Sequence, residues 1–292
     1  MSPRSEIAGA KAQRYLGHVS EMRRPSGDHY AVTDAEREKF ERDGWVRLPG
    51  VLDRAELAEL ERSYMALVRR EIPVLGRDYC DMAGDYEKPV EDYSIVNVML
   101  PRKYHTALRD NVYERRAASI TRQLCGADMV LDYDQFVAKP PRKHDAVFHW
   151  HQDLGYWPQT PDTRTASFWL AFDETRTDNG CLRFVRGSHR EARLRGHAPV
   201  FDDRDRSHTL QALVDEAREP IELGELNPGD VTVHHERTVH GSSGNTSERW
   251  RRGYVLAFRS EATVVAERAL GFTHSHNDDP ELLRRLGQQT RA

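Results

Sequence analysis

The run Phe148-His149-Trp150-His151-Gln152-Asp153 sets two metal-type ligands two residues apart. Side chains alternate along an extended chain, so His151 and Asp153 share a face and can grip one ion. Two histidines and one carboxylate that leave coordination positions open suit an Fe(II) oxygenase, because oxidant and co-substrate must both reach the metal. A third ligand has to come from elsewhere. Gly229-Asp230 reads as a turn into Val231-Thr232-Val233-His234-His235, after which the chain reaches His240-Gly241-Ser242. His240 is the candidate, with His234 and His235 as competitors. A second His-x-Asp, His276-Asn277-Asp278, stands in a polar tail with no strand pattern and no histidine after it, and is set aside.

What favours His240 is the segment that follows. Arg251 opens Arg251-Arg252-Gly253-Tyr254-Val255-Leu256-Ala257-Phe258, where Arg251, Gly253, Val255 and Ala257 share one face. A guanidinium at the end of a roomy face suits a small dicarboxylate, held in a two-pronged charge-assisted pair. Arg249 and Arg252 are rivals, and each also reads as a solvated surface residue. Gln135 and Asn97, on strands upstream, are candidates for hydrogen bonds to co-substrate or substrate. His149 shares the ligand face and reads as support for the metal site or as substrate-facing. His189 reads as a loop histidine. Tyr156 and Trp157 read equally as entrance or as core.

These groups need a rigid frame, and the pattern of residues supplies one. Thr33 and Glu36 have the spacing of a capping box for a helix ending at Asp43, with Gly44 as its stop. Trp45–Pro49 is a short strand. A second helix starts at Asp53, and its Leu57, Leu60, Tyr64, Leu67 and Val68 form a helical stripe. A third helical segment is expected over about 104–124. From Met129 onward short runs rich in Val, Phe, Trp and Tyr alternate with turn residues. The expected strands are Val130–Ala138, Val147–Asp153, Ala166–Asp173, Leu182–Val185, Ile221–Leu223, Asp230–His235 and Gly253–Ser260. Many short strands after helices imply a mainly β fold with flanking α-helices, a jelly roll. Residues 1–30 read as a flexible segment, 31–275 as a single jelly-roll domain, and 276–292 as a tail with a short helix near Pro280.

Phe148 to Pro158, in the form Phe-x-Trp-His-Gln-Asp-x-x-Tyr-Trp-Pro, resembles the metal motif of the phytanoyl-CoA dioxygenase family. Trp169-Leu170-Ala171-Phe172-Asp173, Asn179-Gly180-Cys181-Leu182 and Gly187-Ser188-His189 resemble its next segments in order. His240-Gly241-Ser242 through Arg251 resembles its distal motif. The resemblance spans about residues 33–260. It implies a cupin-like double-stranded β-helix and Fe(II) held by His151, Asp153 and His240. It also implies 2-oxoglutarate held by Arg251 with Trp169 beside it, and O2 as oxidant; Ser242 of the distal motif and Gln135, from its place on an upstream strand, are read into the same binding set. Succinate and CO2 would leave with a hydroxylated product. Related halogenating enzymes carry Ala or Gly where this chain has Asp153, so oxygenation is the implied outcome. Arg186 departs from the family, which usually has Pro before Gly-Ser-His.

Composition narrows the partners. The 292 residues are 38% apolar and 31% charged, with a formal charge of −4. Basic residues are mostly scattered Arg answered by acidic ones, which points away from nucleic acid. No apolar run reaches the roughly 18 residues of a membrane helix, and residues 1–22 lack the apolar stretch of a secretory signal. Cys80, Cys125 and Cys181 form no Cys-x-x-Cys pair, which fits a reducing cytoplasm. The expected substrate is a small natural-product or amino-acid-like metabolite. Alternatives are a cupin-like metal-dependent isomerase or epimerase and a degenerate jelly roll that only binds.

Overall fold

The computed structural model describes residues 25–201 and 206–289. The first helix, α1 (Asp34–Asp43), has the expected capping box between Thr33 and Glu36 and ends where Gly44 turns left-handed at φ 80°. The strand β1 (Trp45–Leu48) follows, then α2 (Arg54–Val68), capped by Asp53 and Glu56. Two short strands, β2 (Tyr79–Asp81) and β3 (Val96–Met99), come next.

The expected third helix is broken. A single turn, α3 (Pro101–Tyr104), precedes α4 (Val112–Cys125), which Asn111 caps after Asp110 takes a positive φ of 53°. An Asn side chain that accepts from Glu114 N–H starts a new helix where a continuous one would have needed both residues helical.

The long strand β4 (Met129–Lys139) opens the main β region. It is followed by β5 (Phe148–His151), β6 (Thr165–Ala171), β7 (Leu182–Val185), β8 (His197–Pro199), β9 (Leu210–Ala212), β10 (Ile221–Gly224), β11 (Val231–His234), β12 (His240–Ser242) and β13 (Arg251–Ser260). Helices α5 (Glu261–Ala269) and α6 (Pro280–Gln289) complete the chain. Strands pair antiparallel in two principal sheets, one ordered β1-β11-β6-β13-β4-β3-β2 and the other β10-β7-β12-β5. The jelly roll therefore takes three strands from the segment before Met129: β1 matches the expected strand at Trp45 and β3 holds Asn97, read as a strand residue, whereas β2 was unforeseen. The small hairpin β8-β9 was also unforeseen.

The wider sheet is covered on both faces, so its central strands read as unbroken apolar runs. On one face Tyr254, Leu256, Phe258, Phe168 and Leu170 pack with Tyr64 and Leu67 of α2 and Tyr113, Ala117 and Ile120 of α4. Two tyrosines pin these helices to the sheet: Tyr64 Oη donates to Val137 O at 2.9 Å and Tyr113 Oη to Tyr254 O at 3.2 Å. On the other face Val255, Ala257, Trp169, Tyr133 and Val137 meet Leu182 and Phe184 of the smaller sheet. The site lies between the sheets, on that second face.

Most of the expected N-terminal segment, residues 1–24, lies outside the described residues. Tyr30, at its end, is buried with its hydroxyl donating to Pro49 O.

Candidate active site

β12 runs between β7 and β5, and in that register His240 faces His151. Their ring centroids are 4.2 Å apart. Asp153 reaches them differently from expectation. The strand ends at His151, Gln152 continues extended, and Asp153 starts a one-turn 3-10 helix, Asp153–Gly155. His151 and Asp153 still face one way because a single extended residue separates them. Gln152 is clamped: its Nε2 donates to Arg237 O at 2.6 Å and its Oε1 accepts from Arg195 N–H at 2.9 Å.

Asp153 Oδ1 lies 3.6 Å from both His151 Nε2 and His240 Nε2. The three ligand atoms lie within 4.8 Å of one another on buried residues. Each imidazole is fixed from behind. His151 Nδ1 is 2.8 Å from His149 O, and His240 Nδ1 is 2.9 Å from Thr238 O. A carbonyl only accepts, so each Nδ1 carries the proton and each Nε2 presents a lone pair. His149 thus contributes its carbonyl, and its side chain is not among those lining the cavity.

The other oxygen of Asp153 is held by two groups. Ser167 Oγ donates to Oδ2 at 3.0 Å, and His234 Nε2 lies 3.3 Å from it. His234, a competitor for the ligand role, instead orients the carboxylate. Burial alone would raise the Asp153 carboxyl, but the imidazoles of His240, His151 and His234 hold it well below the usual range. His235 turns away: its Nδ1 accepts from Arg237 N–H and its ring packs toward His189. His189 Nε2 sits 3.1 Å from Glu41 O, a loop role as expected.

Among the three arginines, partners decide. Arg252 makes a two-pronged pair with Asp173 at 2.7 and 2.9 Å, and Arg249 pairs with Asp178 at 3.0 Å. Arg251 is 2% exposed, lines the cavity and, among the described residues, has no hydrogen-bond partner for Nε or Nη2. Burial pushes its guanidinium down to about 10. Nε and Nη2 form one edge of the fork that binds a carboxylate. A buried cation without a partner is costly unless a ligand completes it. Its plane is steadied by Trp169, whose ring lies 4.1 Å from the guanidinium carbon. The face expected to be roomy is filled at Gly253, where a Cβ would stand 2.1 Å from the Trp169 ring.

Lys139 was missed by residue patterning. It pairs in register with Arg251, is fully buried, and lines the same cavity. Its Nζ donates to Ser242 Oγ and to Ser243 O, both at 2.6 Å, and among the described residues it joins no ion pair. Gln135 also lines the cavity, and its Nε2 donates to Asn97 Oδ1 at 2.6 Å, so Asn97 acts by orienting Gln135.

The outer cavity is walled by Met82, Met99, Tyr133, Tyr156, Trp157 and Val255. His276 corrects an expectation: the residue assigned to a tail is 3% exposed and lines the cavity. Its ring stacks on His208 at 4.0 Å, and His208 stacks on Tyr156 at 4.9 Å. Asp78 fixes it there by accepting from His276 N–H at 2.9 Å and from Ser275 Oγ at 2.8 Å. Arg186, the departure from the motif, closes its loop through Arg186 N–H to Pro220 O.

A second cluster, Asp132, Glu267 and His274, also groups metal-type atoms. Arg259 and Arg268 already neutralise its carboxylates. Burial would lower His274, but Asp132 and Glu267 raise it above its ordinary value, which favours the imidazolium over a ligand lone pair.

Among the described residues no helix is long and apolar enough to cross a membrane. The profile of the phytanoyl-CoA dioxygenase (PhyH) family matches residues 40–253. A protein of Stutzerimonas stutzeri, named a probable alpha-ketoglutarate-dependent hypophosphite dioxygenase, is 32% identical over 161 residues, 54% of each chain. The dioxygenase lolE1 of Epichloe uncinata is 28% identical over 234 residues, 79% of this chain and 84% of that one. The crystal structure of EvdO2 from Micromonospora carbonacea var. aurantiaca with 2-oxoglutarate superposes with a TM-score of 0.64 at 29% identity, over 79% of this chain and 91% of EvdO2. The chain belongs to the phytanoyl-CoA dioxygenase family of Fe(II)- and 2-oxoglutarate-dependent dioxygenases.

Proposed function

We propose that the protein hydroxylates an aliphatic C–H bond of a small metabolite, with His151, Asp153 and His240 holding Fe(II) and Arg251 anchoring 2-oxoglutarate. The observation that carries this reading is the unpartnered Arg251 fork in the cavity that also holds the triad. When bound, Fe(II) with 2-oxoglutarate and O2 supplies an oxidant for an unactivated C–H bond, with succinate and CO2 as co-products.

The chain's own residues have distinct tasks. His149 O and Thr238 O keep the two ligand nitrogens deprotonated. Ser167 and His234 hold Oδ2 of Asp153, leaving Oδ1 toward the metal position. Trp169 holds the Arg251 fork flat for a carboxylate. Met82, Met99, Tyr133, Trp157 and Val255 keep the reacting end dry. The lining offers imidazoles and the Gln135 amide but, among the described residues, no Lys or Arg beyond Lys139 and Arg251. That lining favours a small, largely uncharged substrate over a polyphosphate carrier.

Arg251→Ala tests the reading. Removing one partner of a buried charge pair costs about 2–5 kcal/mol, so 2-oxoglutarate should bind roughly 30- to 5,000-fold more weakly. Lysine should rescue only part of the loss, because an ammonium lacks the planar fork. The readout is the visible charge-transfer band of the anaerobic iron complex. Unchanged affinity in the alanine variant would refute the assignment.

A further inference from the structure

We propose that Lys139 is a positioning residue for the remote carboxylate of 2-oxoglutarate, acting through Ser242. The inference rests on the reading of Arg251 as that carboxylate's anchor.

A side chain that is fully buried and cationic by type normally faces a carboxylate, and among the described residues Lys139 faces none. It stands in register opposite Arg251, so two side chains of basic type, neither facing a carboxylate among the described residues, share one end of the cavity. Burial, and next the nearby guanidinium, hold the Lys139 ammonium well below its ordinary range. An arriving anion relieves that repulsion.

The hydrogen bonds say how the site is wired. Ser243 O, which can only accept, fixes Lys139 Nζ at 2.6 Å. The same Nζ donates to Ser242 Oγ at 2.6 Å. A serine hydroxyl has one hydrogen, and with its oxygen taken as acceptor that hydrogen must go elsewhere. No acceptor for it is present among the described residues, and Ser242 lines the cavity with Arg251. Lys139 therefore turns Ser242 into a donor aimed where the carboxylate is expected beside the guanidinium.

The wiring also accounts for Asn179-Gly180-Cys181, whose part in the site was otherwise unexplained. Gly180 has φ +80°, and a Cβ there would stand 2.3 Å from Ser243 O and 3.1 Å from Lys139 Nζ. Only glycine lets the Ser243 carbonyl settle where it can hold the lysine.

The test uses anaerobic Fe(II)-loaded protein titrated with two oxo acids and read by the charge-transfer band. One is 2-oxoglutarate. The other is 2-oxobutyrate, which keeps the chelating end and lacks the remote carboxylate. Lys139→Met should weaken 2-oxoglutarate by about tenfold, the size of one hydrogen bond to a charged group, and leave 2-oxobutyrate within about twofold. The double variant with Ser242→Ala should bind 2-oxoglutarate no more weakly than Ser242→Ala alone, because both changes remove the same donor. Unchanged 2-oxoglutarate affinity, equal loss of both ligands, or losses that multiply in the double variant would each overturn the proposal. If the methionine variant does not fold, Lys139→Gln is titrated against the same criteria. Full 2-oxoglutarate affinity in Arg251→Ala would instead defeat the underlying reading, so the two failures are distinguishable.

Discussion

Gly253→Ala adds one methyl group at a residue that does not itself line the cavity, yet it should damage co-substrate binding. The new Cβ would meet the Trp169 ring at 2.1 Å, where ordinary contact begins at 3.4 Å. The indole must therefore retreat by roughly 1.3 Å, the gap between those distances. It cannot do so freely, because Trp169 is packed between the sheets and 4% exposed. Overpacking of this kind costs about 1–3 kcal/mol of stability. The same ring carries the Arg251 guanidinium at 4.1 Å, and a desolvated cation–π contact is worth about 2 kcal/mol. Losing it should weaken 2-oxoglutarate by roughly 30-fold. The assay is again the anaerobic charge-transfer titration, with urea unfolding run in parallel. Trp169→Phe in the alanine background, which shortens the ring system, should recover part of the stability. Wild-type 2-oxoglutarate affinity in Gly253→Ala would refute the claim that Trp169 positions Arg251.

Other outcomes follow from the same geometry. His234→Ala should cost about 10–100-fold in metal affinity, as loss of a group that orients a ligand does, whereas His235→Ala should leave it unchanged; isothermal titration with Mn(II) reads both. Asp134 is pushed up to about 7, chiefly by burial. A carboxyl raised above its unfolded value gives stability that is full below about pH 4 and lost as pH rises to about 7. The loss is on the order of 4 kcal/mol, and Asp134→Asn should flatten that slope in urea titrations from pH 4 to 8. Chloride should leave the charge-transfer band of the unchanged protein in place, because Asp153, as the proposed ligand, would take the position a halide needs; a chloride-dependent shift would contradict that.

The candidate triad and the arginine proposed as its anchor could be picked out in the sequence because each depends on short-range chemistry. His151 and Asp153 sit two residues apart in extended chain, and that spacing puts them on one face even though the strand stops at His151. His240 could be separated from His234 and His235 only through what followed it. The structure supplies the reason for the competitors: His234, the last residue of β11, points at Asp153, and His235, just past the strand's end, packs toward His189. Capping boxes at Thr33 and Asp53 were readable for the same local reason.

What escaped notice depends on long-range placement. Lys139 ends a strand before Pro140, where a lysine ordinarily faces solvent. Only the pairing of β4 with β13 carries it inside, beside Arg251. His276 lies in a segment without strand or helix periodicity, so its burial had no local signature. Its position comes from Asp78, nearly two hundred residues earlier, whose carboxylate accepts from the backbone of His276 and the hydroxyl of Ser275. Asp78 is itself fully buried and also receives the Tyr104 hydroxyl at 2.6 Å. One carboxylate thus ties the segment after α5 to the turns before β2 and after β3, and sets an imidazole in the cavity wall. Patterning can find residues that act where they stand. A residue brought to the site by another's charge becomes visible only when both ends of that hydrogen bond are in place.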